Sequence, residues 1–167
     1  MAMTRKKMDK AFFLAAKKND LGKVKELCGK GADLAVKDDD DGWRPLHWAA
    51  WHGNLPMVEF LVDAGADIAS GDNWDEQPLH KAAWMGHEPV VKFLLEHGSD
   101  PAAAAEDGDT PMDCATKRKN LPVLALLERW NAPEMREKLR REGYAETVRD
   151  HWRRIAGHLP SSPRPAL

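Results

Sequence analysis

The chain holds many residues able to do chemistry: seven histidines, two cysteines and 27 acidic side chains in 167 residues. Their spacing fits no familiar site. There is no HExxH and no Cys/His ligand pattern. The run Asp38 to Asp41 before Gly42 has the acid density of a calcium loop. Position one of such a loop would be Lys37 and position twelve Trp48, neither of which can ligate the ion. No GxGxxG, no Walker lysine motif and no GxSxG elbow occurs. Cys28 and Cys114 lie far apart with no CxxC, so they read as two reduced, packed thiols of an intracellular protein; a disulfide would need nearly adjacent Cα atoms. No catalytic residue, metal, cofactor or small-molecule substrate is expected, and an enzyme is the weakest reading.

The unusual residue is tryptophan, present seven times. Tryptophan is enriched where binding energy concentrates, so its placement is the question. The chain length suits one domain or one short array. A formal charge of −2 gives no global reason to expect nucleic acid or an anionic membrane as partner. There is no run of about 18 apolar residues for a membrane span. The only apolar run near the start, Ala11 to Ala16, is too short and too far in for a signal peptide.

The elements that must position the tryptophans repeat. Pro45-Leu46-His47-Trp48-Ala49-Ala50, Gly53, Val58, Leu61-Val62 and Gly65-Ala66-Asp67 return 33 residues later. The second copy is Pro78-Leu79-His80-Lys81-Ala82-Ala83, Gly86, Val91, Leu94-Leu95 and Gly98-Ser99-Asp100. Apolar positions 57, 58, 61 and 62, and again 90, 91, 94 and 95, make one helical stripe. Gly65 and Gly98 follow as helix stops. Pro45, Pro78 and Pro111 open the shorter helices before them, and the alanine pairs allow neighbouring helices to approach closely. A unit of this size buries too little alone, so stacking must supply the core.

The Pro-Leu-His-x-Ala-Ala core at this period resembles the ankyrin repeat. The likeness extends backward through Ala15-Ala16 and Gly31-Ala32-Asp33 at an offset of 34, the extra residue falling within Asp38 to Asp41. It extends forward through Thr110-Pro111-Met112-Asp113-Cys114-Ala115, where Lys119 replaces the turn glycine and Asp113 the histidine. Glu106-Asp107-Gly108-Asp109 is then a turn of the array. The resemblance implies an all-α fold, an ankyrin-repeat solenoid of stacked helix pairs with short β-hairpin-like turns. The expected divisions are an N-terminal capping repeat over 7–35, repeats over 40–72 and 73–105, and a divergent last repeat over 106–132. It also implies that His47 and His80 hydrogen-bond neighbouring turns. Three departures stand out. Arg44 and Gln77 replace the threonine before proline and forfeit a hydroxyl contact. Asp75 replaces a turn glycine, which should alter that hairpin. Ala35, Ala69 and Ala102 stand where an asparagine often follows Gly-Ala-Asp, against asparagine hydroxylation there.

In that family the residue after the turn glycine and the two residues after Ala-Ala vary and face the concave surface. Here these are Trp43, Glu76 and Asp109 in the turns, with Trp51 and His52, Trp84 and Met85, and Lys117 and Arg118 on the helices. Trp74 lies on the third repeat's turn and Trp48 at the neighbouring helix position. These eleven residues are the expected partner-binding set: aromatic anchors rimmed by charge. Trp48 is the one most expected to pack as core, and at least three of Trp43, Trp51, Trp74 and Trp84 are expected to line one groove.

Residues 133–159 carry Met135, Leu139, Tyr144, Val148, Trp152, Ile155 and Leu159 mostly at four-residue steps, an amphipathic helical extension. Residues 160–167 form a Pro/Ser tail. The extension reads as a cap on the last repeat, as a partner-docking helix or, more weakly, as a basic membrane helix diluted by five acids. The expectation is therefore a non-catalytic protein-interaction module, adaptor or scaffold, cytoplasmic or nuclear, binding another protein. A permanent subunit of a larger assembly, docked partly through the extension, is the alternative. A nucleic-acid reader is a distant third, and no membrane partner is expected.

Overall fold

A computed structural model describes residues 4–131; the extension over 133–159 and the tail over 160–167 lie outside them. Four helix pairs follow one another: α1 (Arg5–Lys17) with α2 (Leu21–Gly29), α3 (Pro45–His52) with α4 (Leu55–Asp63), α5 (Pro78–Met85) with α6 (Glu88–Glu96), and α7 (Pro111–Lys117) with α8 (Leu121–Asn131). No strand occurs among the described residues. The first helices pack on one another in the order α1, α3, α5, α7, and the second helices in the order α2, α4, α6, α8. The result is the all-α, two-layered solenoid expected from the repeat, with one continuous core between the layers.

Small residues make the inner contacts possible. Ala16, Ala49, Ala50, Ala82, Ala83 and Ala115 are fully buried, so α1, α3, α5 and α7 meet almost backbone to backbone. Each outer helix buries its apolar stripe, with Met57, Val58 and Leu61 in α4 and Val90, Val91, Leu94 and Leu95 in α6.

The inner helices end in a left-handed residue at equivalent positions. These are Asn19 (φ 61°), Gly53 (φ 68°), Gly86 (φ 80°) and Lys119 (φ 58°). Gly53 is needed twice over, because a Cβ there would meet His87 Nδ1 at 2.4 Å. His87 occupies that space because its Nε2–H donates to Trp51 O at 2.9 Å. Asn120 makes the matching bridge one unit on, its Nδ2 donating to Ala83 O and Trp84 O, both at 2.8 Å. Neighbouring pairs are therefore tied by side chains that satisfy the open carbonyls of helix ends.

The turns join next. Within them Asp38 N–H donates to Trp43 O at 3.0 Å, Asp72 N–H to Glu76 O at 3.1 Å and Ala105 N–H to Asp109 O at 2.8 Å. The first turn is one residue longer, which places the extra residue in the acidic run. Asn73 N–H donates to Asp41 O at 3.0 Å and Glu106 N–H to Trp74 O at 2.8 Å, so each turn is bonded to the next. The expected change at Asp75 does not occur. Asp75 takes φ 57°, the conformation of Gly42 (φ 71°) and Gly108 (φ 88°) at the matching positions, because a short polar side chain tolerates the left-handed region.

Candidate functional site

The site is built on the histidines that open α3 and α5. His47 Nδ1 accepts the Arg44 N–H at 3.1 Å, and its Nε2–H donates to Glu76 O at 3.0 Å. His80 repeats this, accepting from Gln77 N–H at 3.1 Å and donating to Ala103 O at 3.1 Å and Asp109 O at 3.2 Å. Each imidazole thus closes its own helix start and clamps the following turn, a geometry that requires the neutral ring. Burial pushes the His47 pKa down to about 4 and lowers that of His80. The threonine's cap bond is absent at Arg44 and Gln77, as expected; the Arg44 guanidinium donates instead to Gly71 O at 2.8 Å. In the last pair Asp113 accepts the Thr110 N–H at 2.9 Å, but a carboxylate this short forms only the local half of the clamp.

With the turns locked against the inner helices, the aromatic residues of the second repeat come together. Trp43, Trp48, Trp51 and His52 form one aromatic cluster. Ring centroids are 4.5 Å apart for Trp43 and Trp48, 5.4 Å for Trp43 and Trp51, and 5.9 Å for the stacked Trp48 and His52. Phe13 of α1 meets Trp48 edge-on at 6.5 Å. Lys17 Nζ sits over the Trp48 ring at 5.0 Å, and His52 Nε2–H donates to Lys17 O at 2.9 Å.

The burial order within this cluster corrects one expectation. Trp43, expected to face a ligand, is 8% exposed, whereas Trp48, expected to be core, is half-buried. Besides its aromatic neighbours, Trp43 has Lys81 over it, whose Nζ lies 4.5 Å from the ring centroid. Lys81 is itself only 4% exposed. It pairs with Asp72 Oδ2 at 2.7 Å and with Glu76. Asp72 Oδ1 accepts the Trp74 N–H at 2.9 Å and the Glu76 N–H at 3.0 Å, so the ion pair and the turn share one carboxylate. Removing a partner from such a buried pair costs far more than the pair itself contributes.

Farther along, Trp84 is half-buried against the core with Arg118 over its ring at 5.1 Å. Trp51 too is half-buried. Each of these rings lies against a neighbouring side chain. Met85 is half-buried at the end of α5. Asp109 pairs with exposed Lys117. Trp74 is apart from the cluster, 48% exposed at the tip of its turn. Sequence reasoning missed Phe13, Lys17, Asp72 and Lys81. Lys81 carried a signal, since a lysine occupies the position that Trp48 fills one unit earlier. Cys114 fills it one unit later, and burial pushes its thiol up to about 12. Both cysteines are free, and among the described residues no three His, Cys, Asp or Glu side chains are grouped to hold a metal ion. No helix there is long and apolar enough to cross a membrane.

Comparison with known proteins agrees with this architecture. A family model described as ankyrin repeats (3 copies) matches residues 2–72, and one described as ankyrin repeats (many copies) matches residues 52–95 and 85–128. Ankyrin repeat domain-containing protein 49 of Homo sapiens is 39% identical over 67 residues, 38% of this chain and 28% of that protein. The 2-5A-dependent ribonuclease of Mus musculus is 39% identical over 59 residues, 35% of this chain and 8% of that protein. DNA-binding protein RFXANK of Homo sapiens is 40% identical over 52 residues, 31% of this chain and 20% of that protein. The chain thus spans less than a third of the length of these relatives.

Proposed function

The chain belongs to the ankyrin-repeat family, and from that premise we propose that it is a non-catalytic adaptor or scaffold that binds a partner protein along its inner-helix and turn side. Ankyrin repeats generally mediate protein–protein interaction. The observation that carries the reading is the row of half-buried rings at Trp48, Trp51 and Trp84, each already held by a neighbouring side chain. Rings fixed in this way lose little freedom on binding, and that preorganisation favours affinity. His52, Met85, Lys117 and Arg118 surround them in the manner of an interface rim.

A nucleic-acid role, suggested by the name of one relative, is disfavoured by charge. The three turns, residues 37–44, 70–77 and 103–110, hold ten carboxylates and only two cations, Lys37 and Arg44. Such an edge repels phosphate. Affinity capture with the full chain tests the reading. A partner retained by the wild type and released by Trp51→Ala supports it; one retained equally by both variants contradicts it.

A further inference from the structure

Three of the six described tryptophans carry a cation over the ring: Lys17 on Trp48, Lys81 on Trp43 and Arg118 on Trp84. The Lys81 site shows the full arrangement, an indole, a cation on its face and two carboxylates, Asp72 and Glu76, holding the cation. Trp74 lies in the same turn as those two carboxylates. It has an indole of its own, and among the described residues no cation lies over it. It borders a cleft of about 300 Å³ whose other walls are Glu76, Ala105, Glu106 and Asp107. Asp75, Glu106 and Asp107 are exposed, and among the described residues none of them is in a salt bridge.

The cleft is fixed before anything enters it. On one side Trp74 N–H donates to Asp72, and on the other Glu106 N–H donates to Trp74 O at 2.8 Å. Its volume is at the small end for ligand pockets, which suits one side chain better than a free small molecule. An exposed ring with a carboxylate rim selects a planar cation, which stacks on the indole while its N–H groups meet the acids. We propose that the cleft between the turns at Trp74 and Glu106 seats an arginine side chain of a basic peptide segment of the partner, with the acidic turns alongside attracting the rest of that segment. The proposal rests on the reading of this side as the binding face.

The test titrates the full chain with a short peptide of alternating arginine and serine, and with its glutamate-for-arginine counterpart, following the Trp74 indole N–H by NMR at low and at physiological ionic strength. The arginine peptide is expected to bind and shift that signal, weakening as salt rises, and the glutamate peptide to do neither. Trp74→Ala should weaken binding about fivefold. Glu106→Gln combined with Asp107→Asn, which leaves the ring in place, should flatten the salt dependence. No binding of the arginine peptide, equal binding of both peptides, or affinity indifferent to both variants would overturn the proposal. The wider reading fails separately. A captured partner that Trp51→Ala releases, yet Trp74→Ala holds at full affinity, would remove the arginine seat and leave the binding face standing.

Discussion

The units around α3 and α5 share a backbone and differ in what fills it. Both open with proline, clamp the next turn with a histidine, bury an alanine pair and end on a left-handed glycine. At the two equivalent variable positions the first unit places Trp43 and Trp48, and the second places Glu76 and Lys81. The aromatic pair of one unit meets the ionic pair of the next, since Lys81 covers Trp43. The shared residues are satisfied within the stack and leave no surface for a partner. The variable ones pack on their neighbours along it, and that coupling bears on which rings stay open. Trp43, packed on Trp48 and Trp51, closes with Lys81 over it; Trp48, stacked on His52, stays half-open with exposed Lys17 over it.

The largest expected effect contrasts the two variable fillings. Lys81→Ala leaves Asp72, whose side chain is fully buried, without its counter-charge, and breaking such a pair costs about 3–5 kcal/mol. Trp48→Ala removes a ring that is only half-buried, so its cost should fall below the roughly 3–5 kcal/mol of a fully buried aromatic. Urea unfolding of both variants measures the order, and Asp72→Asn should recover part of the Lys81→Ala loss. Trp48→Ala as the more damaging change would mean that the ion pair is not what closes the second unit.

Acid comes next, and it tests what the units share. His47 is neutral in the fold with its pKa lowered to about 4, and His80 is lowered as well. A depressed folded pKa means that protons favour the unfolded chain. The stability contributed is complete above the unfolded value near 6.5, falls as the pH drops below it, and is gone near 4. For His47 alone the loss across that window is on the order of 3 kcal/mol. Denaturation followed from pH 7 to 4 should show a decline that His47→Gln reduces; a flat profile would contradict the neutral clamp.

How much of this could be read from the sequence depends on how local the cause is. The helix pairs, their stops and the histidine clamps each rest on side chains inside one unit, the clamps needing only a backbone carbonyl from the next, and recur at 33, so period and residue type suffice. The burial of Trp43 does not, because one of the groups covering it, Lys81, lies a whole unit away and differs from its own equivalent, Trp48. The hairpin at Asp75 misled for the opposite reason. Its left-handed conformation is a demand of the backbone, and an aspartate can meet it where glycine is the usual choice. The residues that ligate nothing yet shape the face, Phe13, Lys17 and Asp72, carry no motif at all.

A smaller effect sharpens the equivalence of the two units. Gly53→Ala and Gly86→Ala each force an alanine into a left-handed conformation, against His87 at 2.4 Å in one case and Asn120 at 2.9 Å in the other. Both should lose roughly 1–2 kcal/mol from conformation alone, with Gly53→Ala the worse because its neighbour is closer. Melting of the two variants checks this. A loss at one position and none at the other would show that the units are not held together in the same way.

The smallest change to the fold is expected at Trp51, and it bears on binding most directly. The ring rests on Trp43, 5.4 Å away between centroids, and is only half-buried, so Trp51→Ala should cost about 1 kcal/mol of stability, the usual size for a single substitution. Isothermal titration of the captured partner against wild type and Trp51→Ala, with melting recorded on the same samples, separates the two roles of the ring. The account predicts an affinity at least about thirtyfold weaker, the loss expected of an aromatic hot spot, with only a small fall in melting temperature. Intact affinity with a large fall in melting temperature would place Trp51 in the fold and contradict the binding face.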